Sequence, residues 1–115
     1  MRPLPLTAQQ KILPDTVDAM TMTTFAELQD VIEHTYGERD RERGVSATVA
    51  WLAEEVGELA QAVRKGTHDD KVHEFGDVVA WVATLANQQG IDLTEAIQRF
   101  ASGCPKCEAI PCRCA

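Results

Sequence analysis

Val49, Leu52, Val56, Leu59 and Val63 recur at alternating spacings of three and four residues. That period draws one narrow apolar stripe along a helix running from about Val45 to Lys65. Gly66 stands where a helix ends, just after Arg64 and Lys65 in the last turn. A stripe on one helix must find a partner surface, so the chain is committed to packing helices against helices.

The rest of the chain continues the pattern. Thr23 or Thr24 can cap a first helix, with Glu27 placed as in a capping box, and Phe25, Leu28, Val31 and Ile32 recur at helical spacing up to Gly37. Glu38 to Arg43 is almost wholly charged and ends at Gly44, which predicts a solvated loop or frayed turn. After a short turn from Thr67 to Asp70, a third helix is expected from about Lys71 to Gln89, with Phe75, Val78, Val79, Val82, Leu85 and Ala86 facing inward. Gly90 ends it. A shorter fourth helix starts at Asp92 or Thr94 and runs through Ile97 to Phe100. No segment carries the period of a strand. The expected fold is all-α: an antiparallel helical hairpin with flanking helices over residues 23–103. A flexible arm precedes it (1–22, where Met20 and Met22 offer alternative starts), and a cysteine-rich tail follows (104–115).

At 115 residues there is room for one domain, and a net charge of −7 argues against a nucleic-acid duplex as partner, which requires a basic surface. A single nucleotide is not excluded, because divalent cations reverse the sign of an acidic pocket. No apolar run approaches the roughly 18 residues of a membrane span, and the N-terminus lacks the continuous apolar stretch of a secretory signal. The expected setting is the cytoplasm.

The chemistry concentrates in Glu54-Glu55-Val56-Gly57-Glu58 on the second helix and Glu74-Phe75-Gly76-Asp77 on the third. Residues three apart lie on one helix face, so Glu55 pairs with Glu58 and Glu74 with Asp77. If the faces meet in the hairpin, four carboxylates converge. That arrangement is unfavourable without a cation, and Mg²⁺ or Mn²⁺ resolves it with oxygen ligands while keeping sites for substrate phosphates. Either motif alone reads more readily as a solvated acidic face. Two such pairs on adjacent helices, with almost no basic residue four positions on, weigh against that reading. Gly57 and Gly76 inside helices suggest close helix approach or substrate access.

At these residues the chain resembles the MazG-type nucleoside triphosphate pyrophosphohydrolases, an all-α group whose signature is E-E-x-x-E followed downstream by E-x-x-D. Trp51-Leu52, Leu59-Ala60, Asp77-Val78-Val79, Leu85-Ala86-Asn87 and Gly90-Ile91-Asp92-Leu93 match as well, so that the resemblance covers about residues 24–101. It implies Mg²⁺-dependent hydrolysis of a (deoxy)nucleoside triphosphate to the monophosphate and pyrophosphate. Glu55, Glu58, Glu74 and Asp77 become the metal ligands and Glu54 a supporting, water-orienting residue, with Glu54 and Glu58 as the catalytic pair. It also implies a homodimer or homotetramer that completes a four-helix-bundle-like core. A relative specific for dCTP, dUTP or phosphoribosyl-ATP is the nearest alternative. A non-catalytic helical module assembling through a zinc-binding tail is the more distant one.

Around the acids, Trp51 lies one turn before Glu55 and Trp81 one turn after Asp77, where either is a candidate to stack on a base, although tryptophans are as often core residues. Lys65, with Arg64 and Lys71, is a candidate phosphate contact, or else an ordinary helix-end cation. Asn87 is a candidate for base or ribose, or faces solvent. His34, His68 and His73 lack the partner spacing of a metal site and read as surface residues, with His73, one turn before Asp77, the weak candidate among them. Cys104, Cys107, Cys112 and Cys114 form a C-x2-C knuckle and a C-x-C pair separated by only four residues. Their number suits a tetrahedral Zn²⁺. The tight spacer is compatible with an intermolecular site, a strained single-chain site, or a thiol cluster without metal.

Overall fold

The computed structural model describes residues 21–115; the expected N-terminal arm lies outside the described residues up to Met20. Helix α1 spans Phe25–Arg43, α2 spans Val45–Lys65, α3 spans His68–Gln89 and α4 spans Leu93–Ala96, followed by a 3₁₀ turn at Gln98–Phe100. The fold is all-α. No helix among the described residues is long and apolar enough to cross a membrane.

Helix α1 starts as expected. The Thr24 hydroxyl accepts from the Glu27 amide at 3.0 Å, and the Thr23 and Thr24 hydroxyls donate to the Glu27 carboxylate, holding its pKa down. The helix does not stop at Gly37, however, and the charged run Glu38–Arg43 is its last turns, not a loop. Asp40 and Arg43 explain why. They lie on one face, three residues apart, and form a buried ion pair there. The Arg43 guanidinium also donates to Thr48 Oγ1 at 3.0 Å, and Gln88 Nε2 donates to the Asp40 carbonyl at 2.9 Å. A polar segment can therefore be helical and inward-facing at once. Gly44, at φ +84°, turns the chain directly from α1 into α2.

Only Gly66 and Thr67 separate α2 from α3, so the two long helices run antiparallel. Thr67 and Asp70 form a reciprocal cap: the Asp70 amide donates to Thr67 Oγ1 at 3.1 Å and the Thr67 amide to Asp70 Oδ2 at 2.9 Å. This box starts α3 at His68, ahead of the expected Lys71. Helix α3 is the centre of the fold, packing against both α1 and α2. Ile32 and Tyr36 of α1 and Ala83 of α3 form the innermost cluster, with Leu28, Ala80 and Leu93 around it. Gln29 fastens the far end, donating to the Ile91 carbonyl and accepting from the Leu93 amide, both at 2.9 Å.

The apolar stripes behave differently from expectation. On α2 the buried positions are Thr48, Glu55 and Ala62, at seven-residue intervals. Val49, Val56 and Val63 each follow by one residue, about 100° round the helix, and are about half exposed. On α3 the buried side chains are Asp77, Trp81, Ala83, Thr84 and Ala86, whereas Phe75, Val79 and Val82, expected inside, are exposed. Apart from Trp81, small and polar residues take the inward positions, which lets the hairpin helices approach around the acids.

Candidate active site

Glu55 is buried because it shares the inward face of α2 with Thr48 and Ala62; Asp77 is buried on α3, one turn before Trp81. Glu58 follows Glu55 by one turn and Glu74 precedes Asp77 by one turn. Carboxylate oxygens of Glu55, Glu58 and Glu74 lie within 4.8 Å of one another. Asp77 belongs to a second grouping, with Glu74 and His73, of the same compactness. His73 Nε2 is 3.3 Å from Asp77 Oδ2 and 3.8 Å from Glu74 Oε1. Glu74 therefore joins both groupings. The structure brings all four sequence-selected acids into one neighbourhood and adds His73, the surface histidine whose place one turn before Asp77 made it a weak candidate. Glu54 is exposed beside this set.

Three carboxylates this close repel unless a cation joins them. All the donors are hard oxygens, the set that Mg²⁺ and Mn²⁺ prefer, so the residues present fit a divalent ion. A cleft of about 350 Å³ at the connected end of the hairpin is lined by Glu58, Gln61, Lys65, Asp70 and Glu74 among others. Lys65 thus opens onto the same space as two of the acids, where an ammonium can meet a phosphate. A Cβ built on Gly57 or on Gly76 meets no atom within 4 Å. Neither glycine is required by close packing within the chain, which removes one of its two expected roles.

Trp51 and Trp81 stack on each other, with ring centroids 6.1 Å apart and planes 9° from parallel. Trp81 is buried, and the Arg43 guanidinium lies 4.9 Å from the centre of its ring. Trp81 is therefore a packing residue in this chain, not an open platform for a base; Trp51 keeps an exposed side. Asn87 is also differently employed. Its carbonyl accepts from Gln29 Nε2 at 3.0 Å and its amide donates to the Gln29 carbonyl at 2.9 Å. Ten residues beyond Asp77, roughly 15 Å along α3, it ties α1 to α3 instead of reaching the acids. It lines a larger cleft of about 570 Å³, with Asp30, Asp40 and Gln88, that contains none of the clustered acids.

Arg43, Asp40 and Thr48 went unrecognised in the sequence. Their only signal was a helical spacing of Asp40 to Arg43 hidden in a run of charges.

The four tail cysteines converge separately, their sulfurs all within 4.8 Å of one another. Backbone N–H groups of Arg113 and Ala109 hold the Cys107 thiol down to about 6, while contact with the thiols of Cys112 and Cys104 pushes Cys114 up to about 11.

Residues 43–106 match the MazG nucleotide pyrophosphohydrolase domain, more than half of the chain and the part that holds every clustered acid, and the chain belongs to that family. No curated protein matches it.

Proposed function

We propose that this chain hydrolyses a (deoxy)nucleoside triphosphate to the monophosphate and pyrophosphate, with Mg²⁺ or Mn²⁺ held by Glu55, Glu58, Glu74 and Asp77, as a cytoplasmic house-cleaning activity on the nucleotide pool. The observation that carries this reading is the approach of three carboxylates from two helices to within 4.8 Å in a chain of this family. A bound divalent ion supplies charge neutralisation on the phosphates and a more acidic water. The protein's own groups divide the remaining work. Lys65 faces the phosphates from the shared cleft, and the exposed side of Trp51 stacks on the base. Glu54 orients the attacking water, and the water's proton passes to a carboxylate of the set, of which Glu58 and Glu74 line the open cleft. His73 keeps Asp77 in place through their contact.

The exposed Val49, Val56 and Val63 on α2 and Phe75, Val79 and Val82 on α3 support association with a second copy, in a dimer or tetramer. The direct test is a panel of (d)NTPs, including dCTP and dUTP, together with phosphoribosyl-ATP, assayed with Mg²⁺ for pyrophosphate release by the wild-type chain and by Glu58→Gln. Turnover by wild type alone is expected. Turnover of no nucleotide, or equal rates for the variant, overturns the reading. Turnover of one substrate only identifies a specialised member.

A further inference from the structure

We infer that Cys104, Cys107, Cys112 and Cys114 of a single chain bind one Zn²⁺ as a closed structural site, which folds the C-terminal tail independently of the carboxylate centre. Four thiolates around zinc at about 2.3 Å define a tetrahedron whose sulfur–sulfur edges are about 3.8 Å. Cys104 Sγ lies 3.7 Å from Cys114 Sγ, and Cys107 Sγ lies 3.9 Å from Cys112 Sγ. Both separations far exceed the roughly 2.05 Å of a disulfide. The pairing also crosses the motifs: each sulfur of the knuckle meets one of the C-x-C pair, the arrangement in which all four surround one point.

The backbone is shaped for this. Gly103 adopts φ +106°, and a Cβ there would stand 2.6 Å from Ile110 Cγ1. The Glu108 amide donates to the Cys104 carbonyl at 2.7 Å and the Cys104 amide to the Ala109 carbonyl at 3.2 Å. Those two bonds fold the knuckle back on itself, so the short spacer between Cys107 and Cys112 closes within one chain. Amides of Arg113 and Cys114 donate to Cys107 Sγ and Cys112 Sγ, each at 3.3 Å, as the outer-shell donors of a thiolate metal site do.

Burial does not hold this segment together. Ile110, its one large aliphatic residue, is 82 % exposed. A segment with so little core is the kind that a metal organises. Four sulfur ligands leave no open position, so the ion is structural, and soft sulfur donors select zinc over magnesium. Binding replaces the thiol protons, which pass to solvent, and gives a tetrathiolate centre of charge −2 beside Lys106 and Arg113.

The test uses the full-length chain, freed of any affinity tag, loaded with Zn²⁺ under reducing conditions, desalted and assayed for bound zinc. A parallel sample takes Co²⁺ for its absorption spectrum. One zinc per chain and the intense visible bands of tetrahedral thiolate-bound cobalt are expected. Cys107→Ser and Cys112→Ser should each lose both, with far-UV circular dichroism showing the helices intact. Zinc at background in wild type, half a zinc per chain, an octahedral cobalt spectrum, or zinc retained in both variants overturns the proposal. Glu58→Gln should keep its zinc, which separates this result from the fate of the catalytic reading.

Discussion

Trp51 of α2 lies stacked on Trp81 of α3, 6.1 Å between ring centroids and 9° from parallel, with Trp81 buried and Trp51 open on one side. The two rings therefore predict different losses. Trp81→Ala should cost about 3–5 kcal/mol of stability, the range for deleting a buried aromatic ring. Trp51→Ala should cost less stability and act mainly by raising KM for the nucleotide, while Trp51→Phe restores most of the affinity. Denaturant melts and steady-state kinetics on the three variants separate the effects. Equal destabilisation by Trp51→Ala and Trp81→Ala would contradict the assignment.

Carboxylates crowded to within 4.8 Å make the metal-free protein tense. Glu74→Gln removes a charge shared by both acid groupings, so the melting temperature without metal should hold or rise. The increase in melting temperature on adding Mg²⁺ should disappear. Turnover should fall by about 100-fold or more, since even outer-shell changes at metal sites cost 10–100-fold. Thermal melts with and without Mg²⁺ decide this with no substrate present.

Asp40 and Arg43 pair largely screened from bulk water, their side chains 6 % and 16 % exposed. Asp40→Ala breaks this inward-facing pair and should destabilise by about 3–5 kcal/mol. Arg41 and Glu33 make the control: their pair is solvent-exposed, and Arg41→Ala should leave the urea midpoint unchanged. Similar midpoints for the two variants would mean that the inward-facing pair is not what holds the end of α1.

Open space beside Gly57 and Gly76 makes both replaceable within the monomer. Gly57→Ala and Gly76→Ala should each stabilise the helix they occupy by about 0.5–1 kcal/mol. Loss of activity alongside that gain would place substrate or a second copy against the glycine. Unchanged activity would leave solvent there.

Hydrogen bonds from the Thr67 amide and hydroxyl hold Asp70 below the ordinary carboxylate range. In the unfolded chain Asp70 takes up its proton first. Its contribution is thus complete above the ordinary aspartate value and is lost as the pH falls through the depressed folded one. Asp70→Asn should flatten the acid limb of the melting curve below about pH 4 and leave its slope near neutrality unchanged. Metal-free melts across that range test the sign.

The long elements were legible because glycine punctuates them: Gly44 and Gly66 bracket α2, and Gly90 closes α3. The paired acids were legible because three-residue spacing on adjacent helices forces a shared face. Three things were not. The Thr67–Asp70 cap reads as a turn until its reciprocal bonds are seen, and it places three further residues in α3. The end of α1 has no apolar period, because an ion pair takes the place of a hydrophobic contact there. Periodicity marked the valine stripes but not which way they face; Glu55 and Asp77 take inward positions, against what transfer energies alone would order.

From Glu55 to Asp77 the chain covers 23 residues, and only Gly66 and Thr67 among them are non-helical. All four acids therefore come together through contacts of short sequence separation. Such contacts close early in folding, because little loop entropy stands in their way. The acidic centre is therefore expected to form as the hairpin zips, ahead of the docking of α1 through Gln29 and Tyr36. A destabilised α1 should slow or weaken completion of the fold without dispersing the acids, and an insertion at the two-residue turn should disperse them while leaving each helix intact.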